Sequence, residues 1–319
     1  KFKKSYSSLV AFISLLILAF YLGWALLNQP GEERAVLIGC IIEFAIIFVS
    51  MSLYFYYHGK TTQLKKANHW TENLKQVKIA DLSVRSQDEM LPWYIHLLPM
   101  LITIGMIAYS VLNYQILPEQ IPTHWGINGK ADAFTEKTPF TAISMLLTLF
   151  ILQIMFLGIH YGTKSSGIKL SANATNASRL RQLTLRKYSS WFMFLMSLLV
   201  TMMMSFFQLT TIHPHIFANS LMLAVPLFFL AVSLIGTIIF AVKVGRSDKQ
   251  TIESADGEMT DFDEDSYWKG GLIYFNKNDP SIFVEKRFGV GWTINFANPI
   301  GYVIVIVPLI IILFIAFQQ

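Results

Sequence analysis

Charged residues are scarce in this chain of 319 residues: only 14% are Asp, Glu, Lys or Arg. Soluble globular domains carry about 25%, which argues against a soluble enzyme. The single cysteine, Cys40, excludes a disulfide within the chain and favours an apolar packing role. Nucleotide fingerprints are missing too, because Ile294 stands where a dinucleotide motif beginning at Gly289 needs its third glycine. No cofactor is predicted.

Long apolar runs are abundant instead. A helix needs roughly 20 mostly apolar residues to cross the hydrocarbon core of a bilayer. Seven runs reach that length, at about 9–27, 36–57, 93–112, 140–160, 188–210, 217–242 and 300–317. Lipid leaves backbone polar groups to be satisfied internally, and the weak alternation of a membrane β-barrel is absent. The predicted fold class is an all-α polytopic membrane protein with seven transmembrane helices, the first of them uncleaved.

Lysine and arginine are unevenly distributed over the connections between these runs. The N-terminus, 58–92, 161–187 and 243–299 hold 22 of the 25 basic residues, and the alternate connections hold only Arg34, Lys130 and Lys137. Basic connections stay in the cytoplasm, so we expect the N-terminus inside and the C-terminus outside. The net charge of +5 follows this topology, and no nucleic-acid partner is predicted.

The predicted organisation has three parts. Residues 1–242 form a six-helix membrane bundle with an ordered exterior loop, 113–139. Residues 243–299 form a cytoplasmic acidic linker and a small β-rich module, and 300–319 form the seventh helix. Two further cytoplasmic segments have helical patterns. Residues 61–78 predict either a helix lying on the inner leaflet or an extension of the second span, and 171–187 predict a basic lead-in to the fifth span.

The exterior loop contains the stretch "IPTHWGINGKADAF", residues 121–134. Its prolines restrict the backbone, and Asn128-Gly129 is a strong tight-turn signal, so the loop is predicted to be ordered. With the four residues before it, the stretch resembles a loop of a bacterial multi-pass membrane family of unknown biochemical activity. That family includes the immunity protein against the sporulation-delaying-protein toxin. The resemblance implies a bacterial plasma membrane and an immunity or sensing role, with binding residues His124, Trp125, Asn128, Gly129 and Asp132.

A second informative segment is "YWKGGLIYFNKNDPSIFVEKRFGVGWTINFANP", residues 267–299. Apolar and aromatic residues alternate on both sides of Asn278-Asp279-Pro280, which predicts a hairpin turning there and two or three short strands in all. The segment resembles a second small family of unknown function, which the immunity protein lacks. Its pattern marks a further set of binding candidates: Tyr274, Asn276, Asp279, Lys286, Arg287, Trp292 and Asn295.

Isolated polar residues inside the apolar runs supply the remaining candidates. Glu43 lies within the second run, where a carboxylate must be paired, protonated or in contact with water. Gln153 and Gln208 are predicted to form hydrogen bonds between helices. His96 and His160 are interpreted as interfacial or helix-capping residues.

Three functions remain open at this point. The leading hypothesis is a non-enzymatic membrane protein for sensing, immunity or resistance toward extracytoplasmic toxic peptides or envelope stress. Its predicted partners are the lipid bilayer, an extracytoplasmic peptide or antibiotic, and a cytoplasmic regulatory protein or membrane partner. One alternative is a proton-coupled small-molecule transporter that uses Glu43. The other is a metal-dependent membrane enzyme with an exterior site built on His124, His213 and His215.

The exterior loop is expected to cap the outer mouth of the bundle. Trp125 would be packed at the membrane interface and His124 would be directed inward, toward Glu43 or the pair His213 and His215.

This arrangement predicts different defects for two substitutions in the loop. His124→Ala should impair function with little loss of expression, whereas Gly129→Val should lower the folded yield by forcing a β-branched residue into a tight turn. Membrane-fraction yield and survival under challenge measure the two effects. A wild-type yield of Gly129→Val would contradict the predicted turn.

Overall fold

The computed structural model describes residues 2–68, 75–77, 82–126, 129–171, 175–247, 259–261, 263–287 and 290–318. Within these ranges, seven helices are long and apolar enough to cross a membrane. They are α1 (Phe2–Asn28), α2 (Glu32–Ala67), α3 (Leu97–Leu112, preceded by a 3-10 turn, Trp93–His96), α4 (Ser144–Ser165), α5 (Thr175–Ile212), α6 (Leu221–Ser247) and α7 (Pro299–Ala316). The seven predicted helices are confirmed, as is the helical lead-in to the fifth.

The chain divides into two compact units, Lys1–Leu74 and Lys75–Gln319. In the first unit, α1 and α2 pack against each other, and the Tyr21 hydroxyl donates to the carbonyl oxygen of Ala35 at 2.9 Å. Helix α2 continues to Ala67, as the extension alternative for 61–78 predicted. Neither alternative holds as far as residue 78, because 75–77 form a strand.

The second unit is built on a bundle of α3, α4, α5 and α7, with α6 packed on α5. Helices α3 and α5 run parallel to each other, and α4 runs antiparallel to both, so the helix termini define two ends. The hairpin end carries the loop between α3 and α4 together with the C-terminus of α7. The module end carries the segment that joins α6 to α7. Helices α4 and α7 approach closely in their halves nearer the module end, where a methyl group added to Gly158 would lie 2.9 Å from Ile304.

Eight short strands form four two-stranded sheets in the described residues. The strands are β1 (Lys75–Val77), β2 (Gln120–Trp125), β3 (Ala131–Glu136), β4 (Met259–Asp261), β5 (Trp268–Lys269), β6 (Ile273–Tyr274), β7 (Phe283–Glu285) and β8 (Trp292–Ile294). β1 pairs with β4 in parallel, whereas β2–β3, β5–β6 and β7–β8 are antiparallel.

The module, residues 263–298, differs from its predicted strand pairing. The sequence pattern placed the turn at Asn278-Asp279-Pro280, but the chain turns at Gly270-Gly271 and between β7 and β8. Gly270 and Gly271 both have positive φ, 59° and 76°, which favours glycine. The expected pairing of the two apolar stretches is therefore wrong. The first stretch, which contains β6, pairs with β5 before it, and the second, which contains β7, pairs with β8 after it. The segment between β6 and β7 is an irregular connection.

The module docks on the ends of α4 and α7. The amide N–H of Phe283 donates to Ser166 Oγ at 3.2 Å, and the N–H of Gly167 donates to Ser281 Oγ at 3.1 Å. Two glycines allow the approach. A methyl group on Gly162 would lie 2.6 Å from a ring carbon of Phe283, and one on Gly301 would collide with Ile294.

Gly162→Ala is therefore expected to displace or loosen the module. Overpacking of this kind costs about 1–3 kcal/mol. The apparent Tm in detergent and the protease resistance of residues 263–298 measure the effect. Gly105→Ala in α3 is the matched control, because nothing lies within 4 Å of a methyl group there. Equal behaviour of the two variants would contradict close docking.

Candidate functional site

The loop between α3 and α4 is an ordered hairpin of β2 and β3. Gly129 has a φ of 73°, as a tight turn requires, and its amide N–H donates to the carbonyl oxygen of Gly126 at 2.9 Å. The base of the hairpin is fixed to the bundle by a buried apolar cluster of Leu117, Ile121, Ala142 and Ile212. The prediction of an ordered loop is confirmed for its described residues; Asn128 lies outside them.

The side chains of His124 and Trp125 have different roles in this hairpin. His124 Nδ1 is 2.5 Å from Asp132 Oδ1, and the two side chains are 68% and 53% exposed. The expectation that His124 points inward is wrong, because the strand register gives it a partner on β3. Trp125 packs on Phe207 of α5, with ring centroids 4.4 Å apart. The hairpin is thus held to α5 through the indole, and the imidazole is left at the surface.

A cavity of about 220 Å³ lies beneath the hairpin, between β2, α4, α5 and α7. Its walls are mostly apolar, and they include Ile121, Leu152, Val200, Met204 and Ile312. Thr148 and Gln208 contribute polar groups. The volume exceeds the roughly 150 Å³ of an engineered cavity that binds benzene. A space of this size and character suits an apolar side chain or a short alkyl segment.

Two buried glutamines join the helices of the bundle, as predicted. Gln153 Nε2 donates to Thr103 Oγ1 on α3 at 2.8 Å and to Thr201 Oγ1 on α5 at 2.7 Å. Gln208 Nε2 donates to Ser110 Oγ at 3.0 Å. In lipid, such bonds hold helices together because an unpaired amide would be costly.

A buried ion pair, which the sequence did not indicate, lies at the module end. Arg186 of α5 is 1% exposed, and its Nη2 lies 3.0 Å from Asp88 Oδ2. The same guanidinium donates to the carbonyl oxygen of Lys164 at 2.7 Å. Removing one partner of a buried pair typically costs 3–5 kcal/mol. The only signal in the sequence was an arginine just before an apolar run. The carboxylate partner of Arg186, Asp88, is 98 residues away in the sequence.

His96 and His160 lie near this pair. His96 occupies the N-cap position of α3, as the capping interpretation predicted, but its side chain makes no capping hydrogen bond, and His160 lies within α4. They are 3% and 0% exposed, and their ring centroids are 4.5 Å apart. His160 Nδ1 lies 3.4 Å from Ser190 Oγ.

Four of the predicted module residues form one internal hydrogen-bond network. The Tyr274 hydroxyl donates to Asp279 Oδ2 at 2.9 Å and accepts from Asn276 Nδ2 at 3.1 Å. Asn295 is fully buried, and its amide bonds to backbone groups of Asn276 and to the carbonyl oxygen of Asp279. These side chains therefore shape the irregular connection between β6 and β7.

Lys169, from the α4–α5 connection, joins the network from outside the module. Its Nζ lies 2.9 Å from Glu264, 3.1 Å from the Tyr274 hydroxyl and 3.3 Å from Asp279. Burial opposes the ammonium charge, but bonds to Glu264 and Tyr274 outweigh it and raise the pKa of Lys169. Burial also opposes the Asp279 carboxylate, but hydrogen bonds from Ser281 and Tyr274 and the charge of Lys169 lower its pKa. Burial raises the pKa of the Tyr274 hydroxyl. These shifts favour the charged forms of Lys169 and Asp279 and the neutral hydroxyl of Tyr274.

The other module candidates lie at its edges. Lys286 is exposed, and Arg287 forms an ion pair with Asp265. Trp292 Nε1 donates to Ser189 Oγ on α5 at 3.2 Å. The neighbouring Glu285 accepts from Arg181 Nε at 2.6 Å. Trp292 and Glu285 thus attach the module to α5, whereas Lys286 is exposed.

The candidates for the alternative functions have separate surroundings within their own units. Glu43 is exposed on α2 in the first unit. His213 Nε2 lies 2.8 Å from the Tyr109 hydroxyl, whereas His124 pairs with Asp132. In the described part of the chain, no group of three or more His, Cys, Asp or Glu residues is placed to hold a metal ion.

Tyr274→Phe is expected to destabilise the module by about 1–3 kcal/mol, because it leaves buried polar groups unpaired. Protease resistance and the apparent Tm in detergent measure the loss. Tyr161→Phe, at a 66% exposed position on α4, is the matched control. If Tyr274→Phe behaves like the control, the network does not support the module.

Comparison with known families adds two short matches. Residues 101–152, which contain the hairpin, match a domain of unknown function (DUF1648). Residues 277–302, at the end of the module, match a family of unknown function (DUF5808). No curated protein and no solved structure matches the chain. The two matches cover the two segments that the sequence singled out, and they assign neither of them an activity.

Proposed function

We propose that this protein is a non-enzymatic membrane receptor that senses, or confers resistance to, a membrane-active agent from outside the cell. The observation that carries the proposal is the cavity beneath the hairpin, because α7 leads from its wall directly to the module. The polar candidates on both segments are engaged in structural hydrogen bonds and ion pairs, which favours binding over catalysis.

The orientation follows from the distribution of basic residues. The hairpin end has few lysines and arginines, and the connections at the module end have most of them. Cytoplasmic connections carry the excess of positive charge. In this proposal the hairpin and its cavity face the exterior of a bacterial plasma membrane, and the module lies in the cytoplasm.

The cavity favours a ligand with an apolar group. Met204, Val200 and Ile312 offer apolar surface, and burial of such surface contributes about 25 cal/mol per Å². Toxic peptides and envelope-active antibiotics carry apolar side chains or alkyl tails that would fit. His124 and Asp132 are paired with each other but exposed on the hairpin above, so their outward-facing atoms would make polar contacts with the rest of the ligand.

Helix α7 offers a direct route between the two ends. Ile312 and Ala316 line the cavity, while Gly301, near the other end of the helix, packs against Ile294 of β8. A ligand that shifts α7 would change the docking of the module. A two-state response needs only that the ligand bind one arrangement more tightly than the other. The exposed Lys286 would then meet a cytoplasmic regulatory partner.

The test is to delete the gene and challenge the cells with a panel of membrane-active peptides and envelope-active antibiotics. The deletion strain should lose survival toward at least one agent, and the wild-type gene should restore it. Thr148→Phe should fail to restore survival, because the phenyl ring would fill the cavity and exclude the ligand. A loss of about 1.4 kcal/mol of binding free energy would already lower the affinity about tenfold.

Thr237→Phe is the matched control, since it makes the same substitution at an exposed position on α6. Unchanged survival of the deletion strain across the whole panel would contradict a resistance role. If Thr148→Phe restores survival as well as Thr237→Phe, the cavity is not the binding site.

A further inference from the structure

One amide in the wall of the cavity beneath the hairpin has a fixed orientation. Gln208 of α5 is 4% exposed, and its Nε2 donates to Ser110 Oγ and to the carbonyl oxygen of Ala142, both at 3.0 Å. The Ser110 hydroxyl already donates to the carbonyl oxygen of Met106, so both partners are acceptors and the nitrogen must lie on their side. Among the described residues, none donates to the amide oxygen, Oε1. Because Gln208 lines the cavity, Oε1 is the group that it offers to a ligand.

A hydroxyl next to this amide is also limited to accepting. Thr211 lines the cavity, is buried, and lies three residues after Gln208, so the two side chains are neighbours on the helix. Its Oγ1 donates to the carbonyl oxygen of Phe207 at 2.9 Å. A hydroxyl has one proton to donate, so the capacity that remains at Thr211 is that of an acceptor. Gln208 and Thr211 therefore place two acceptors side by side on the cavity wall.

The cavity is polar near the hairpin and apolar deeper in the bundle. Gln208 and Thr211 lie in the last turns of α5, whereas Val200 and Met204 line the cavity further from the hairpin end. Leu152 of α4 lines the same deep part. At a rise of 1.5 Å per residue, Val200 lies about 12 Å from Gln208 along the helix axis. This depth suits an alkyl chain of medium length whose terminal group stays at the level of the two acceptors.

The charge and hydrogen-bonding of the wall restrict that terminal group. None of the described residues that line the cavity is charged, so an ion of either sign would be buried without a counter-charge. The Thr148 hydroxyl can donate as well as accept, but a neutral hydroxyl does not compensate a full charge. An ether oxygen would exclude water from Gln208 Oε1 and leave that acceptor unpaired, which lowers affinity. An uncharged hydroxyl or amide N–H satisfies the acceptors directly.

We propose that the cavity binds a single alkyl chain that ends in an uncharged hydrogen-bond donor, as a long-chain alcohol or a primary fatty amide does. This assignment rests on the proposed function, in which the cavity holds the ligand, and it adds the chemistry of that ligand. The chain lies against Val200, Met204 and Leu152, and the terminal group donates to Gln208 Oε1. A primary amide has a second N–H, which donates to Thr211 Oγ1.

The experiment measures the binding of four radiolabelled probes to the full chain in lipid nanodiscs at pH 8. Decanol and decanamide carry a donor, whereas decyl methyl ether and ionised decanoate do not. Retention by empty nanodiscs of the same lipids is subtracted, which removes partition into the bilayer. Decanol and decanamide should bind saturably and about three- to tenfold more tightly than the ether, as expected for one additional neutral hydrogen bond. Decanoate should bind at least about tenfold more weakly than decanol, because its charge is buried without compensation.

Two substitutions remove one acceptor each at nearly constant volume. Gln208→Met should abolish the preference for decanol over the ether. Thr211→Val should weaken decanamide about three- to tenfold and leave the ether unchanged. Thr210→Val is the matched control, because Thr210 Oγ1 donates to the same carbonyl oxygen of Phe207, at 2.8 Å, but lies outside the cavity lining. Gln208 also joins α5 to α3, so if Gln208→Met does not fold, the comparison of Thr211→Val with Thr210→Val decides the matter.

The ligand class is overturned if decanol and decanamide show no saturable binding or bind no more tightly than the ether or decanoate. It is also overturned if Thr211→Val binds decanamide as Thr210→Val does. A wild-type protein that binds decanol and the ether equally, and loses both in Thr148→Phe, would have an apolar binding cavity without the requirement for a donor. That result defeats the ligand class alone, because the survival test judges the receptor role separately and uses none of these probes.

Discussion

The close approach of the module to α4 and α7 is the contact that joins the module to the bundle in the second unit. It exists because two helix positions have no side chain. At Gly162 the Phe283 ring lies almost on the backbone of α4, and at Gly301 the side chain of Ile294 occupies the space of a methyl group. Such contact brings Ser166 within hydrogen-bond distance of the Phe283 amide. The last turn of α4 therefore packs against the module on one side and contacts Arg186 on the other.

Polar groups inside the bundle divide into two kinds. Gln153 and Gln208 are bonded to side chains on neighbouring helices, and they fix which faces of α3, α4 and α5 meet. The group at the module end is charged, because Arg186 and Asp88 form a buried ion pair there. Removing one partner of such a pair leaves a buried charge uncompensated, so this pair holds α5 to the segment that precedes α3.

Local features of the chain could be predicted from the sequence, whereas long-range choices could not. The length of each apolar run indicated the existence and position of a helix. The Asn128-Gly129 signal indicated a turn, which the positive φ of Gly129 confirms. The partner of His124 was missed because it depends on the register of β2 against β3, in which a bulge follows Pro122. The prediction of strand pairing in the module failed for a similar reason. The segment around Asp279 is held by a hydrogen bond from Asn295, which is 16 residues further along the chain. Which partners α4 and α5 would find for Arg186 and His160 had no local signal at all.

The cavity and the docking surface lie at opposite ends of the same two helices. Helices α4 and α7 both reach from the wall of the cavity to the docking surface, so an arrangement favoured at one end constrains the other. Coupling between two sites is reciprocal in free energy. A ligand that prefers the docked arrangement must therefore strengthen docking, and a weakened docking contact must lower the affinity for that ligand by the same factor. A ligand that prefers the undocked arrangement reverses both signs. The sign of this coupling would establish whether the occupied receptor holds its module or releases it.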